Sequence, residues 1–177
     1  MLIPVLTDLN ILRVPIDPLL FPGAPPGTKV HWGFQLEHER SAERIKLEVA
    51  KLMELHKVYK IYTIGHSLGG ALAILDALFL SLQFPAASVE TIVYGAPHPV
   101  PVLPPKWLGF KHPQGELHFA KSGSAVYCDG EDNEIDTQCE DLTVHEPFAL
   151  TGNVMDHRLP SIKMGPYEGI HIGSIYC

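Results

Sequence analysis

The chain has 177 residues, enough for one domain with a real hydrophobic core and too few for two comfortable ones. At 46% hydrophobic and 19% charged residues it has the make-up of a soluble globular protein. A net charge of −7 leaves no basic stripe to neutralise phosphates, which excludes a nucleic-acid partner.

In chain order, Met1 to Leu6 is apolar, but Asp8, Asn10 and Arg13 interrupt it before any cleavage region, so no signal peptide is expected here. An exported parent would carry its export signal outside this chain. Prolines gather at 15–26 and again at 97–113, where long irregular segments are expected. Val30 to Phe34 predicts a short strand. Ser41 to His56 predicts a helix, with a stripe of Ala42, Ile45, Val49, Leu52, Met53 and His56 opposite Glu43, Lys46 and Lys51. Lys60 to Ile64 is a β-branched and aromatic run that predicts a buried strand, and Glu90 to Tyr94 predicts another. Between them, Leu68 to Leu82 predicts a buried helix; it is about a turn short of a bilayer span and carries Asp76, so no transmembrane segment is expected.

Alternating strands and helices predict an α/β fold with parallel pairing and crossovers. Beyond Pro97 the pattern weakens. Glu116 to Ala120 and Ala125 to Cys128 predict an antiparallel hairpin around Lys121-Ser122-Gly123-Ser124, and from Asp129 onward the chain predicts mostly loop. Cys128 and Cys139 bracket an acidic loop and form a candidate disulfide in an oxidising compartment, with two structural thiols as the alternative. Cys177 is the odd cysteine, and its partner is expected outside this chain.

The chemistry concentrates at Gly65-His66-Ser67-Leu68-Gly69-Gly70. A Gly-x-Ser-x-Gly pattern between a strand and a helix is a nucleophile elbow: the serine must project from a sharp turn, and bulky neighbours would clash. The helix that begins at Leu68 points its unsatisfied N–H groups at the turn, which makes the Leu68 backbone N–H the expected oxyanion donor. Asp76 lies more than two turns down that helix and is expected to cap or pair locally.

A serine nucleophile needs a base of near-neutral pKa. Of the ten histidines, His66 is expected to pack beside the elbow, while His38 and His56 fall on or near a helical surface. His112, His118, His145, His157 and His171 follow the elbow in the chain order this fold demands, and spacing does not choose among them. No His-Glu-x-x-His pair or cysteine–histidine quartet occurs, so neither a metal nor a cofactor is expected.

In these features the sequence resembles the class 3 lipases, most closely those of filamentous and mushroom-forming fungi. The resemblance rests on Val30-His31-Trp32-Gly33-Phe34, which looks like the family's V-H-x-G-F strand, and on Gly65 to Ala71 with its apolar helix. Val93-Tyr94-Gly95-Ala96-Pro97, Val100 to Pro105, Gly109 to Pro113, Gly115 to His118 and Asp156-His157 follow in the family's order. It implies an α/β-hydrolase fold with a mostly parallel sheet in one domain: a lid-like region over 1–27, a core over 28–97 and a C-terminal part over 98–177 carrying the histidine. It implies Ser67 as nucleophile, His157 as base and secretion. The implied substrates are acylglycerols or other carboxylic esters. Asp8 to Gly27 would be the lid, whose apolar residues Leu9, Ile11, Leu12, Leu19, Leu20 and Phe21 meet a lipid surface; a core-packing loop is the alternative.

Two departures bear on this. The family's earlier strand, whose hydroxyl residue supplies a second oxyanion donor, is expected to lie before this chain. Between Pro97 and Val100, where relatives place a helix, a strand and the catalytic aspartate, only His98 and Pro99 intervene, and a parallel crossover needs about a dozen residues. The fold is therefore expected to be incomplete. Asp129, Glu131, Asp132, Asp136 and Asp141 stay open as replacement acids. An impaired pseudoenzyme or a fragment from splicing or gene prediction is the alternative to a working lipase, and a feruloyl or short-chain esterase is the alternative within the fold.

Overall fold

A computed structural model describes residues 12–66 and 68–94 and the backbone of three later strands, Glu116–Phe119, Ala125–Cys128 and Gly169–Ser174. Strand β1 (Arg13–Pro15) pairs antiparallel with β2 (Lys29–His31), and the loop between them carries Phe21. Helix α1 (Trp32–His56) follows directly, then β3 (Lys60–His66), α2 (Leu68–Gln83) and β4 (Ser88–Tyr94). The later strands are β5 (Glu116–Phe119), β6 (Ala125–Cys128) and β7 (Gly169–Ser174).

Helix α1 begins nine residues before the expected start at Ser41. Its cap explains the difference. His31 has extended backbone, and its Nδ1 accepts from the Phe34 N–H at 3.3 Å, satisfying one of the donors a helix start leaves free. The imidazole also lies against the Phe34 ring, centroids 4.3 Å apart, and over Gly33, where a Cβ would meet His31 Cε1 at 3.2 Å. Val30-His31-Trp32-Gly33-Phe34 is thus a strand end, a cap and a first helical turn, and not one strand. Lys57, with φ of 52°, takes the left-handed conformation that stops the helix after His56.

Burial pushes the His31 imidazole below its ordinary pKa of 6.5, which suits a ring that must accept. The unfolded chain then binds the proton more readily, so this stabilisation is present above about pH 6.5 and is lost as the pH falls through the lower folded-state value. Chemical denaturation of His31→Asn, which keeps an acceptor but cannot titrate, should show a smaller loss of stability between pH 7 and pH 5 than the unaltered chain. Equal losses would remove His31 from the account.

Strands β3 and β4 run parallel, in register from Lys60 beside Ser88 to His66 beside Tyr94, joined by α2. Alternation in β4 buries Val89, Thr91 and Val93 on the face that α2 covers, with Thr63 of β3. Thr63 Oγ1 donates to Ala73 O at 2.8 Å and Thr91 Oγ1 donates to Thr63 O at 3.3 Å, so two hydroxyls stitch helix to strand and strand to strand. Helix α1 lies against α2, and Ala42, Leu75, Ala77, Phe79 and Leu80 form the core with Phe21 and Val30. The apolar stripe of α1 holds through Ala42, Ile45 and Val49, but Leu52 is exposed.

The five-stranded sheet has the order β3-β4-β7-β5-β6. The expected hairpin forms, with Glu116 beside Cys128 and Phe119 beside Ala125. Two expectations need correction. β7 falls in a stretch expected to be loop, and it occupies the sheet's centre. It pairs antiparallel with β4 and with β5, so β3–β4 is the single parallel pairing among the described strands and the sheet is not mostly parallel. β4 and β7 lie far apart in the sequence, so the long connection between them can return in either direction, and the ladder that forms is antiparallel.

Candidate active site

Strand β3 ends at His66 and α2 begins at Leu68, so one residue, Ser67, joins them. Ser67 itself lies outside the described residues, but its neighbours define the turn. A Cβ on Gly65 would stand 2.1 Å from Gly69 O and 2.7 Å from Gly70 N, so only glycine lets the strand end touch the helix start. Gly70 brings α2 down on β4, where a Cβ would meet Val93 Cβ at 3.3 Å. Gly69 is different: among the described residues nothing lies within 4 Å of where its Cβ would be, and its carbonyl is what crowds Gly65.

The electrostatics follow from the elements. Leu68 is the first residue of a sixteen-residue helix, so its N–H is one of four without an intrahelical acceptor. No acidic side chain sits in the first turn of α2 to offset the positive end of its dipole. His66, the last residue of β3, has its pKa pushed down by burial and is held toward the neutral form.

His38 is not a surface residue. It is fully buried, its ring stacked on Phe21 with centroids 5.3 Å apart and edge-on to Phe79 at 5.3 Å. Its Nε2 lies 3.1 Å from Asp76 Oδ1, an ion-pair distance, although the angles are not those of a hydrogen bond. Asp76 therefore finds its partner on α1 and not locally. A polar residue on the apolar face of each of two helices was the available signal: His38 precedes Ala42 by one turn, and Asp76 follows Leu75.

The expected lid region divides. Phe21 is 1% exposed and belongs to the core, with Leu20 packed beside it, whereas Leu19 is 88% exposed and Leu12 is also exposed. Leu9 and Ile11 lie outside the described residues, as do His112, His145 and His157. Cys128 ends β6, but Cys139 and Cys177 lie outside the described residues, and the candidate disulfide with them.

Two of the remaining histidines fall on sheet strands. His118 of β5 is paired with Gly169 of β7. His171 of β7 is paired with Val93 on one side and Glu116 on the other. One row therefore crosses the sheet from the elbow: Gly65, Val93, His171, Glu116, Cys128. It lies one residue short of the C-terminal ends of β3 and β4. Among the described residues no group of three or more His, Cys, Asp or Glu could hold a metal ion, and no helix is long and apolar enough to cross a membrane.

Comparison with known proteins gives a consistent answer. A family model described as lipase (class 3) matches residues 4–105. A secreted mono- and diacylglycerol lipase of Malassezia globosa is 27% identical over 137 residues, covering 62% of this chain and 45% of that protein. A lipase of Rhizopus niveus is 29% identical over 162 residues, covering 74% of this chain and 39% of that protein. The chain spans about half the length of the curated Malassezia relatives it matches. Among solved structures, the Rhizomucor miehei lipase propeptide complex superposes with a TM-score of 0.72 at 23% identity, over 94% of this chain and 58% of that one. Lipase II from Rhizopus niveus superposes with a TM-score of 0.71 at 23% identity, over 88% of this chain and 64% of that one. The fold is that of the α/β-hydrolase lipases, present in part.

Proposed function

We propose that this chain, which belongs to the class 3 lipase family, is a serine carboxylic-ester hydrolase that cleaves acylglycerols through an acyl-enzyme. The observation that carries the reading is the elbow: a strand and a helix joined through one serine, with Gly65 pressed on the backbone of Gly69. In this reading Ser67 Oγ attacks the ester carbonyl while a histidine takes its proton. The negative oxygen that forms accepts from the Leu68 N–H at the positive end of α2. Collapse of the tetrahedral intermediate breaks the bond to the alcohol, which leaves with the proton from the histidine. Water, activated by the same histidine, then releases the fatty acid and restores Ser67. By motif order the histidine is His157, in its Asp156-His157 pair.

Secretion and a Cys128–Cys139 disulfide belong to the same reading, supported by the printed description of the Malassezia relatives as secreted. The exposed Leu12 and Leu19 support contact with a lipid surface by the 12–20 part of the lid-like region, with Phe21 as its anchor in the core.

A fluorophosphonate probe tests the nucleophile directly. The chain should label at Ser67 and Ser67→Ala should not label at all. A folded chain that never labels would make this a non-catalytic member of the family. Rates on p-nitrophenyl esters of increasing chain length should favour the long chains; a preference for acetate or for feruloyl esters would move the activity to a short-chain or feruloyl esterase.

A further inference from the structure

The chemistry at Ser67 does not use His38 and Asp76, two titratable groups that sit where the 16–27 loop is fastened to the helices. Phe21 is the one buried side chain of that loop. Its ring stacks on the His38 imidazole, centroids 5.3 Å apart, and stands edge-on to Phe79 at 6.1 Å. Two polar contacts on either side add to the hold: the Asp17 N–H donates to Gln35 Oε1 at 2.9 Å, and Gln83 Nε2 donates to Leu20 O at 3.5 Å. Gly23 and Gly27 follow Phe21 with φ of 92° and 84°, two pivots at which glycine alone moves freely.

None of the His38 side chain reaches solvent, whereas the Asp76 side chain is 19% exposed, so protons have access to the carboxylate. Neither ring nitrogen of His38 makes a hydrogen bond among the described residues, and Asp76 Oδ1 lies 3.1 Å from Nε2. No other charge is placed to replace that carboxylate. Asp76 is the only charged residue of α2. The loop contributes Asp17, whose Oδ1 accepts from the Leu19 N–H at 2.8 Å. On α1 itself Glu37, Glu39, Arg40 and Arg44 are exposed, with Glu37 paired to Arg40, and His31 lies about two turns away at the cap. An imidazole takes up its proton at a higher pH than a carboxylate does. On acidification the pair therefore passes from imidazole beside carboxylate, through imidazolium and carboxylate, to imidazolium beside a neutral acid. The last state strands a cation between two phenyl rings and away from water. Swinging Phe21 out lets water reach it.

We infer that the 16–27 loop is an acid-released flap, latched by Phe21 on His38 for as long as Asp76 stays ionised. The released state binds one proton more than the latched one, so the open fraction rises by up to about tenfold per pH unit as Asp76 is neutralised. Release adds Leu20 and Phe21 to the already exposed Leu19, a longer apolar strip than the latched loop presents. The latch does not depend on Ser67 being a nucleophile.

Hydrogen exchange of the 177-residue chain, read by mass spectrometry between about pH 7 and pH 4 and corrected for the chemical exchange rate, is the test. Protection at Leu19 to Phe21 should fall about tenfold or more on acidification, while that of β3, α2 and β4 stays within a few-fold. Asp76→Asn should move this loss to higher pH by about one unit or more, because the imidazolium then has no counter-charge at any pH. A merely structural carboxylate would lower protection equally at every pH. The double change His38→Phe with Asp76→Leu keeps His31 and replaces the pair by apolar groups, so it decides the matter even where Asp76→Asn does not fold; its loop protection should not vary with pH. The latch is overturned if the unaltered chain keeps its loop protection in acid, loses it only together with β3 and β4, or loses it no more than the double variant does.

Discussion

Gly65→Ala is expected to yield no cooperatively folded protein, whereas Gly69→Ala should fold and melt near the unaltered chain. A methyl on Gly65 would stand 2.1 Å from Gly69 O, 2.5 Å from the Gly69 carbonyl carbon and 2.7 Å from Gly70 N. All three are backbone atoms and cannot rotate aside, so relief requires lifting the start of α2 off the end of β3. That helix is held from two directions, by Gly70 against Val93 and by the bond from Thr63 Oγ1 to Ala73 O. Moving it would open the core around Leu75, Phe79 and Leu80. Such changes belong with the most severe single substitutions, about 4–5 kcal/mol or more against a native stability of about 5–15 kcal/mol. Gly69 has open space at its Cβ among the described residues, and alanine is the better helix former by up to about 1 kcal/mol. Urea unfolding followed by circular dichroism separates the two; a Gly65→Ala protein with an unchanged midpoint would mean that strand and helix are not in this contact.

Asp76→Ala should cost about 3 kcal/mol, the second-largest effect, and the double change His38→Phe with Asp76→Leu should recover most of it. His38 is fully buried between Phe21 and Phe79, and Asp76 Oδ1 lies 3.1 Å from its Nε2. Breaking a buried ion pair costs about 3–5 kcal/mol when a charge is stranded and about 1–3 kcal/mol when the orphan is a neutral polar group. The angles between the two groups are poor for a hydrogen bond, which holds the expected cost to about 3 kcal/mol, where the two ranges meet. Replacing both partners by apolar groups removes the desolvation penalty together with the pair. A double-mutant cycle in urea gives the coupling directly. Additive single changes would show that the two groups are neighbours without being partners. The pair also bears on the 16–27 loop, because Phe21 stacks on His38, so loosening α1 from α2 should loosen the loop's anchor as well.

How far the sequence carries depends on whether the determining contacts are near in the chain. The strand–elbow–helix–strand unit was legible because each piece announces itself locally: a β-branched run over Lys60 to Ile64, glycines at the turn, then good helix formers to Leu82. The hairpin was legible for the same reason. The early start of α1 was not, since the cap is a histidine, and its recognition depends on the ring lying over Gly33 and against Phe34. Taken one helix at a time, His38 reads as a residue on or near a helical surface and Asp76 as one that caps or pairs locally. They meet only when the apolar faces of two helices close on each other.

The residues by themselves determined the strand–serine–helix turn, the family and the α/β character, because glycine placement, hydrophobic period and motif order are properties of neighbouring residues. Only the tertiary structure decided which strand stands beside β4. Gly169 to Ser174 is six residues long with two glycines and has no strong strand signal of its own, and its pairing closes a loop of some seventy-five residues back to Tyr94. Such a contact is set by which edge is left unpaired after the nearer segments have packed. Placing that strand antiparallel turned a sheet expected to be mostly parallel into a mixed one, and it brought His171 into the row of Glu116 and Gly65.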